Sequence, residues 1–287
     1  YAKLARGETD MHAWSRQHNR QIPRFRNERY FDCAVWDSDC THTLYVTQGP
    51  GACTLMGPTQ PLMENTSVLY PWGDPLRRTS VHDVHTRVVS EGEIRCRPLD
   101  DLFGPDETVD FLKVDVEGGE LHVFKGAQRM FSQGRILFVQ AEFQAFPYYR
   151  EHPVFGDQHA FLNRCGMRLI DLNLDHPRYQ RGGVDLPDDC SRWPLFAGDA
   201  LFMIEPDRNE IPPMDRQRLA LILLVFGFNS LALSLLAEAG LLGREELSAI
   251  ETSMRSRPDR SRKRRLLDAW TRVPVAAYEA VLKLTTA

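Results

Sequence analysis

What the chain lacks narrows its reading first. Its six cysteines, Cys33, Cys40, Cys53, Cys96, Cys165 and Cys190, form no CxxC pair, and no cysteine–histidine spacing resembles a zinc site. No metal ligand set is read from the sequence. Scattered cysteines in 287 residues fit a reduced, cytoplasmic compartment better than a disulfide scaffold. No stretch reads as a signal peptide, and no internal repeat is visible. A basic excess is missing too, since the formal net charge is −4, so the chain as a whole does not read as a nucleic-acid binder. A glycine-rich cofactor loop is the most telling absence. The only GxG is Gly49-Pro50-Gly51 in QGPGACTL; it follows a hairpin-like strand and leads into no helix, so it reads as a loop.

What is present is an ordinary globular composition, 43% apolar, with enough length to bury a core. Residues 2–20 read as a helix. RYFDCAVWD (29–37) and THTLYVT (41–47) read as strands, and 48–80 as a long Gly/Pro/Ser/Thr-rich excursion. VHDVHTRVVS (81–90) and EIRCRPL (93–99) alternate as strands should, and LDDLFG (99–104) reads as a short helix. VDFLKVDV (109–116) is apolar on both faces, the pattern of a central parallel strand. One helix follows in GELHVFKGAQRMFSQG, stopped by Gly134, and then a buried strand, RILFVQAEF (135–143). A helix at 158–166 and strands at 167–174 and 199–206 complete the set. The strand–helix alternation predicts a right-handed parallel α/β sheet over 1–206, with a boundary near 207 and a helical extension over 207–287.

The chemistry concentrates where the run at 109–116 meets two acids and two glycines. Lys113 and Asp115 share strand parity, with Asp115 near the carboxyl end. Gly118 and Gly119 let the backbone turn tightly and let a ligand approach. A carboxylate beside an acceptor hydroxyl can take its proton, and Asp115 is the first candidate for that base, with Glu117 second. Glu142, at the end of the next strand, would face the same crevice and orient the acceptor or Lys113. The plain alternative is that such acids cap helices or sit in solvated loops. Glu120 reads as a partner of the helix dipole, and His122 as a bystander.

LKVDVEGGELHVFKGA resembles the signature of the FkbM-type methyltransferases, a Leu-Lys-Ile-Asp-x-Glu-Gly-x-Glu run followed by a Lys-Gly helix. RPLDDLF, CAVWDSDCTHTLYVT, LFVQAEF, CGMRLIDL and GDALFMI resemble that family's other segments in the same order. The resemblance implies an S-adenosylmethionine-dependent O-methyltransferase acting on a hydroxyl of a small molecule, sugar or natural product. It places adenine contacts at Ala34, Val35 and Asp37, with Gly118 also on the cofactor side. It implies a class I sheet ordered 3-2-1-4-5-7-6, whose first strand carries an Asp-x-Gly-Ala-x-x-Gly loop. Neither that loop nor the second strand's acid stands before residue 109. The expected fold is therefore α/β, a partial Rossmann-like class I methyltransferase sheet lacking its first two strands, with a C-terminal α-helical extension. The chain is then expected to be an N-terminally truncated fragment, with strand 3 left without a neighbour and strand 4 with an open edge.

Two other readings stand beside this one. The chain could be a non-catalytic α/β scaffold, or a membrane-associated protein anchored through 219–265. Residues 219–236 approach the length of a span, but Phe226-Gly227-Phe228-Asn229-Ser230 in their middle reads as a turn, so two short buried helices are expected. The run RSRPDRSRKRR (255–265) holds six Arg and one Lys against one Asp. It reads first as a solvated face, and as a membrane-surface contact second. Base recognition is not expected, because no aromatic residues interleave with these charges.

Overall fold

The computed structural model describes residues 27–48, 50–57, 66–69, 87–147, 151–175, 178–181, 192, 195–207 and 211–255. The expected N-terminal helix, His82, His85, Cys190, most of the 48–80 excursion and the basic run beyond 255 lie outside those residues. The elements are β1 (Ala34–Val35), β2 (Cys40–Thr47), β3 (Thr66–Leu69), β4 (Val88–Arg97), α1 (Leu99–Leu102), β5 (Leu112–Val114), α2 (Glu120–Lys125), α3 (Gln128–Ser132), β6 (Phe138–Gln144), α4 (Phe155–Arg164), β7 (Met167–Asp175), β8 (Arg178–Arg181), β9 (Ala197–Ile204), α5 (Pro213–Val225), α6 (Asn229–Glu238) and α7 (Arg244–Arg255).

The main sheet runs β5-β6-β9-β7. β5 and β6 pair in parallel, whereas β9 runs antiparallel to both β6 and β7. The expected all-parallel sheet is thus corrected at β9. A parallel neighbour needs a crossover, usually a helix, and the described residues between β7 and β9 contain none; a strand returning that way pairs antiparallel. β6 carries Phe138, Val139, Ala141 and Phe143, all at most 1% exposed, as the two-faced apolar pattern requires.

Ala34–Val35 also departs from expectation. Far from lacking a neighbour, it pairs in parallel with Cys96–Arg97 of β4, in a separate sheet ordered β1-β4-β2. The strand read at 29–37 is reduced to these two residues, and one strand, Val88–Arg97, replaces the two expected around it. β4 pairs along the whole of β2, so it satisfies its backbone groups there. β5 keeps one edge open in its sheet among the described residues.

The long helix after the acid–glycine turn is two short ones. The two meet at Gly126, where no side chain fits: a Cβ at that position would overlap the carbonyl oxygen of Trp36. The second piece, α3, is capped from a distance. The Asp100 carboxylate accepts the N–H groups of Arg129 (2.8 Å) and Met130 (2.9 Å), while the Asp100 N–H donates to the Gly126 carbonyl at 2.9 Å. A charged acceptor at helix-opening N–H groups satisfies otherwise orphaned donors and complements the dipole. The first acid of LDDLF therefore serves the backbone of the break.

Residues 219–236 form a helix hairpin, α5 and α6, turning at Gly227 with φ 85°. Leu219, Leu223, Leu224, Leu235 and Leu236 are at most 3% exposed and join the same core as the sheet. The Phe226 ring stacks on Phe138 with centroids 5.0 Å apart. Each such leucine contributes on the order of 1.5–3 kcal/mol by leaving water, an upper bound that accounts for the apolar run without a bilayer. Among the described residues no helix is long and apolar enough to cross a membrane.

Replacing Asp100 by Ala is expected to lower unfolding stability by about 1–2 kcal/mol in urea titration. Asp101→Ala, at an exposed position of the same helix, is expected to change it by less than about 0.5 kcal/mol. Equal effects would remove the capping role.

Candidate functional site

The site grows from the end of β5. After Val114 the chain must turn at once into α2, and the turn is tight. Glu117 adopts φ 55° and Gly118 φ 97°, both in the left-handed region, which glycine enters freely and glutamate at a cost of order 1 kcal/mol. Two groups hold the turn. The Thr54 hydroxyl donates to the Glu117 carbonyl at 2.7 Å, and Glu120 Oε1 accepts the N–H groups of Val116 (3.0 Å) and Gly118 (3.3 Å). Gly119 is fixed by packing, since a Cβ there would come within 2.7 Å of the Trp36 ring.

The turn places Asp115 and Glu117 beside Glu142 of β6. One carboxylate oxygen of each lies within 4.8 Å of the others. Lys113 faces the group: its Nζ contacts Asp115 Oδ2 at 3.1 Å and donates to Asp199 Oδ1 at 3.0 Å. Gln140 also donates to that Asp199 oxygen, at 3.1 Å. The four candidates Lys113, Asp115, Glu117 and Glu142 are therefore brought together. The register explains how. Lys113 lies opposite Gln140 across β5–β6, and Glu142 lies opposite Asp199 across β6–β9. Lys113 is positioned by Asp199 and Asp115, whereas the sequence had offered Glu142 for that role.

Crowded acids with little water hold their protons. Burial, then the charges of Asp115 and Glu120, push the Glu117 carboxyl up to about 7. Burial, then Glu117, Asp115 and Glu120, push Glu142 up to about 9. Burial also raises Glu120 to about 7, although its backbone hydrogen bonds pull the other way. Lys113 is raised because its bonds to Asp199 and Asp115 outweigh burial, which acts against its charge. Like charges in a low-dielectric site account for the ladder.

Of the expected cofactor-side residues, Gly118 lies in the acid turn itself, whereas Ala34, Val35 and Asp37 lie in and beside β1. Asp37 Oδ2 is 2.6 Å from His122 Nδ1, and Ser38 donates to Asp37 Oδ1 at 2.9 Å. Burial pushes the Asp37 carboxyl up, but the bonds from His122 and Ser38 outweigh it and leave it below the usual range. His122, read as a bystander, also stacks on Trp36 with centroids 4.1 Å apart and planes 5° from parallel. Both rings line a cavity of about 510 Å³ together with His42, Met56, Lys125 and His152. None of the three clustered carboxylates lines that cavity.

Two participants, Asp199 and Gln140, are not among the residues named from the sequence; Asp199 stands in GDALFMI, and Gln140 alternates with Glu142 in VQAEFQ. Polar residues at every second position of an otherwise apolar strand mark one polar face, and that period was the available signal.

The family model described as Methyltransferase FkbM domain matches residues 32–169. That span contains every candidate named from the sequence, and leaves Asp199 outside. No curated protein and no solved structure matches the chain.

A pH prediction comes from His152, which is 5% exposed and has Nε2 2.9 Å from Gln144 Oε1. Burial depresses it from 6.5 to about 4. The unfolded chain then takes up a proton near pH 6.5 that the folded chain refuses. Its contribution is fully present above that pH and is lost as pH falls toward 4. Stability at pH 5 is expected to sit on the order of 1–2 kcal/mol below that at pH 7.5 from this group, measured by urea unfolding, and His152→Gln is expected to flatten the difference. An unchanged pH profile in the variant would contradict the assignment.

Proposed function

Proceeding from an FkbM methyltransferase domain over residues 32–169, we propose that the chain supplies the acceptor side of an S-adenosylmethionine-dependent O-methyl transfer. The acceptor is a hydroxyl on a small molecule, sugar or natural product. The observation that carries this reading is the meeting of Asp115, Glu117 and Glu142 within 4.8 Å, with Lys113 bonded to Asp115, at the carboxyl end of a buried strand.

Asp115 takes the proton that the acceptor hydroxyl gives up. Its side chain is 52% exposed, so an entering substrate can reach it. Lys113 and Asp199 hold it in place through the ion pairs described above, and a fixed carboxylate loses little freedom when an acceptor binds. Glu142, protonated near neutrality, is suited to donate a hydrogen bond to a second acceptor oxygen. Glu117 is the alternative base from the same turn.

The residues that the resemblance assigns to the cofactor have partners within the chain. The Asp37 carboxylate is taken by His122 and Ser38, the Gly118 N–H by Glu120, and the Ala34–Val35 backbone pairs with β4.

Asp115→Asn is expected to cut label transfer from methyl-tritiated S-adenosylmethionine to a hydroxyl acceptor by roughly 10²–10⁴-fold while leaving donor affinity unchanged. Undiminished turnover would remove Asp115 as the base.

A further inference from the structure

We propose that Cys40 and Cys96 form a thiol–disulfide modification site, closed by exchange with a low-molecular-weight disulfide of the oxidised glutathione kind. The two residues face each other directly across the antiparallel β2–β4 pair. Directly opposed residues in such a pair lie on one face of the sheet, with Cα atoms about 4.5 or 5.5 Å apart. Both separations fall inside the roughly 4.4–6.8 Å that a disulfide spans, so the bond closes with little movement of the strands. The register shift in this pair lies at the other end of β2, between Val46 and Thr47.

Burial gives the pair unlike members. Cys96 is 0% exposed and belongs to the cluster of Trp36, Met56, Phe196 and Ala197, whereas Cys40 is half-buried and packs against that cluster. Burial, then the charge of Cys40 and a hydrogen bond between the two thiols, push Cys96 up to about 11. Such mutual influence belongs to neighbouring sulfurs. The Arg95 guanidinium donates to both carboxylate oxygens of Asp39, at 3.4 and 2.9 Å, and so holds the start of β2 against β4 beside the thiols. The other described cysteines have no cysteine opposite them. Cys33 lies just before β1, Cys53 accepts from the Thr47 hydroxyl at 3.9 Å, and Cys165 ends α4.

Access assigns the roles. Cys40, the outer thiol, gives its proton to solvent, and its thiolate attacks one sulfur of the small disulfide. A mixed disulfide forms on Cys40, and one small thiolate leaves and is reprotonated. Cys96 then attacks the Cys40 sulfur, and its proton passes to the second departing thiolate. The Cys40–Cys96 pair is oxidised, and the small disulfide is reduced to its two thiols. The new bond restricts the unfolded chain over the whole stretch from Cys40 to Cys96. It also fastens β4 where the Trp36 N–H donates to the Arg97 carbonyl at 3.0 Å, behind the ring that presses on Gly119 of the acid turn.

The test is incubation of the folded chain with oxidised glutathione, then thiol alkylation, mass spectrometry and proteolysis at Asp37 and Asp39, which separates Cys33 from Cys40. The wild type is expected to lose two thiols, to yield a Cys40–Cys96 cross-linked fragment free of glutathione, and to rise in Tm. Dithiothreitol is expected to reverse all three changes. Cys96→Ser is expected to stop with glutathione held on Cys40, and Cys40→Ser to leave Cys96 reduced. A folded wild type that keeps both thiols would overturn the site. So would one that retains glutathione on Cys40, links Cys96 to Cys33, or cross-links only after unfolding in urea. The wild-type readouts stand even where a serine variant fails to fold, and none of them involves methyl transfer.

Discussion

The crowding of carboxylates where β5 turns into α2 is the constraint around which the described structure is arranged. Val114 is 3% exposed and the next residues must reverse direction, so the backbone enters the left-handed region at Glu117 and Gly118. Glu120 ties the turn by accepting two of its N–H groups. That same closure brings Asp115, Glu117 and Glu142 together, and burial, then the neighbouring negative charges, raise the carboxyls of Glu117 and Glu142. A chain selected only for stability would place apolar or amide side chains there, since unpaired buried acids are disfavoured. Perturbed acids in such a place mark a working site more often than a structural one.

The surroundings serve that turn. The break at Gly126 lets the α2–α3 segment pass under the Trp36 carbonyl, and Asp100 caps the piece beyond the break. Trp36 presses on Gly119 and stacks on His122, so β1 and α2 hold each other through an aromatic face and the Asp37–His122 bond. The α5–α6 hairpin covers the sheet and joins its core, with Phe226 against Phe111 and Phe138.

Much of this was legible in the sequence, and for physical reasons. VDFLKVDVEGGELHVFKG announces a buried strand, an acid-rich turn and a helix, because apolar runs, acids and glycines each have narrow backbone uses. Three site residues read there, Lys113, Asp115 and Glu117, do come together, with Glu142 of the next strand beside them. The hairpin turn inside residues 219–236 was legible from Phe226-Gly227-Phe228-Asn229-Ser230. What escaped depends on partners distant in sequence. Nothing local to GDALFMI says that Asp199 will hold Lys113, because that follows from the order β5-β6-β9. The antiparallel course of β9, the pairing of β1 with β4 and the break at Gly126 are likewise set by neighbours brought in by the fold. His122 passed as a bystander because its partner, Asp37, is 85 residues away.

The central claim is that these acids form one coupled, partly desolvated group. The most direct measurement is the infrared carbonyl spectrum of chelator-treated protein at pH 7, wild type minus Glu142→Gln. With the Glu142 carboxyl pushed up to about 9, a protonated-acid carbonyl band is expected in the wild type and absent from the variant. A difference spectrum showing only carboxylate bands would mean that Glu142 is ionised and solvated, and would contradict the account.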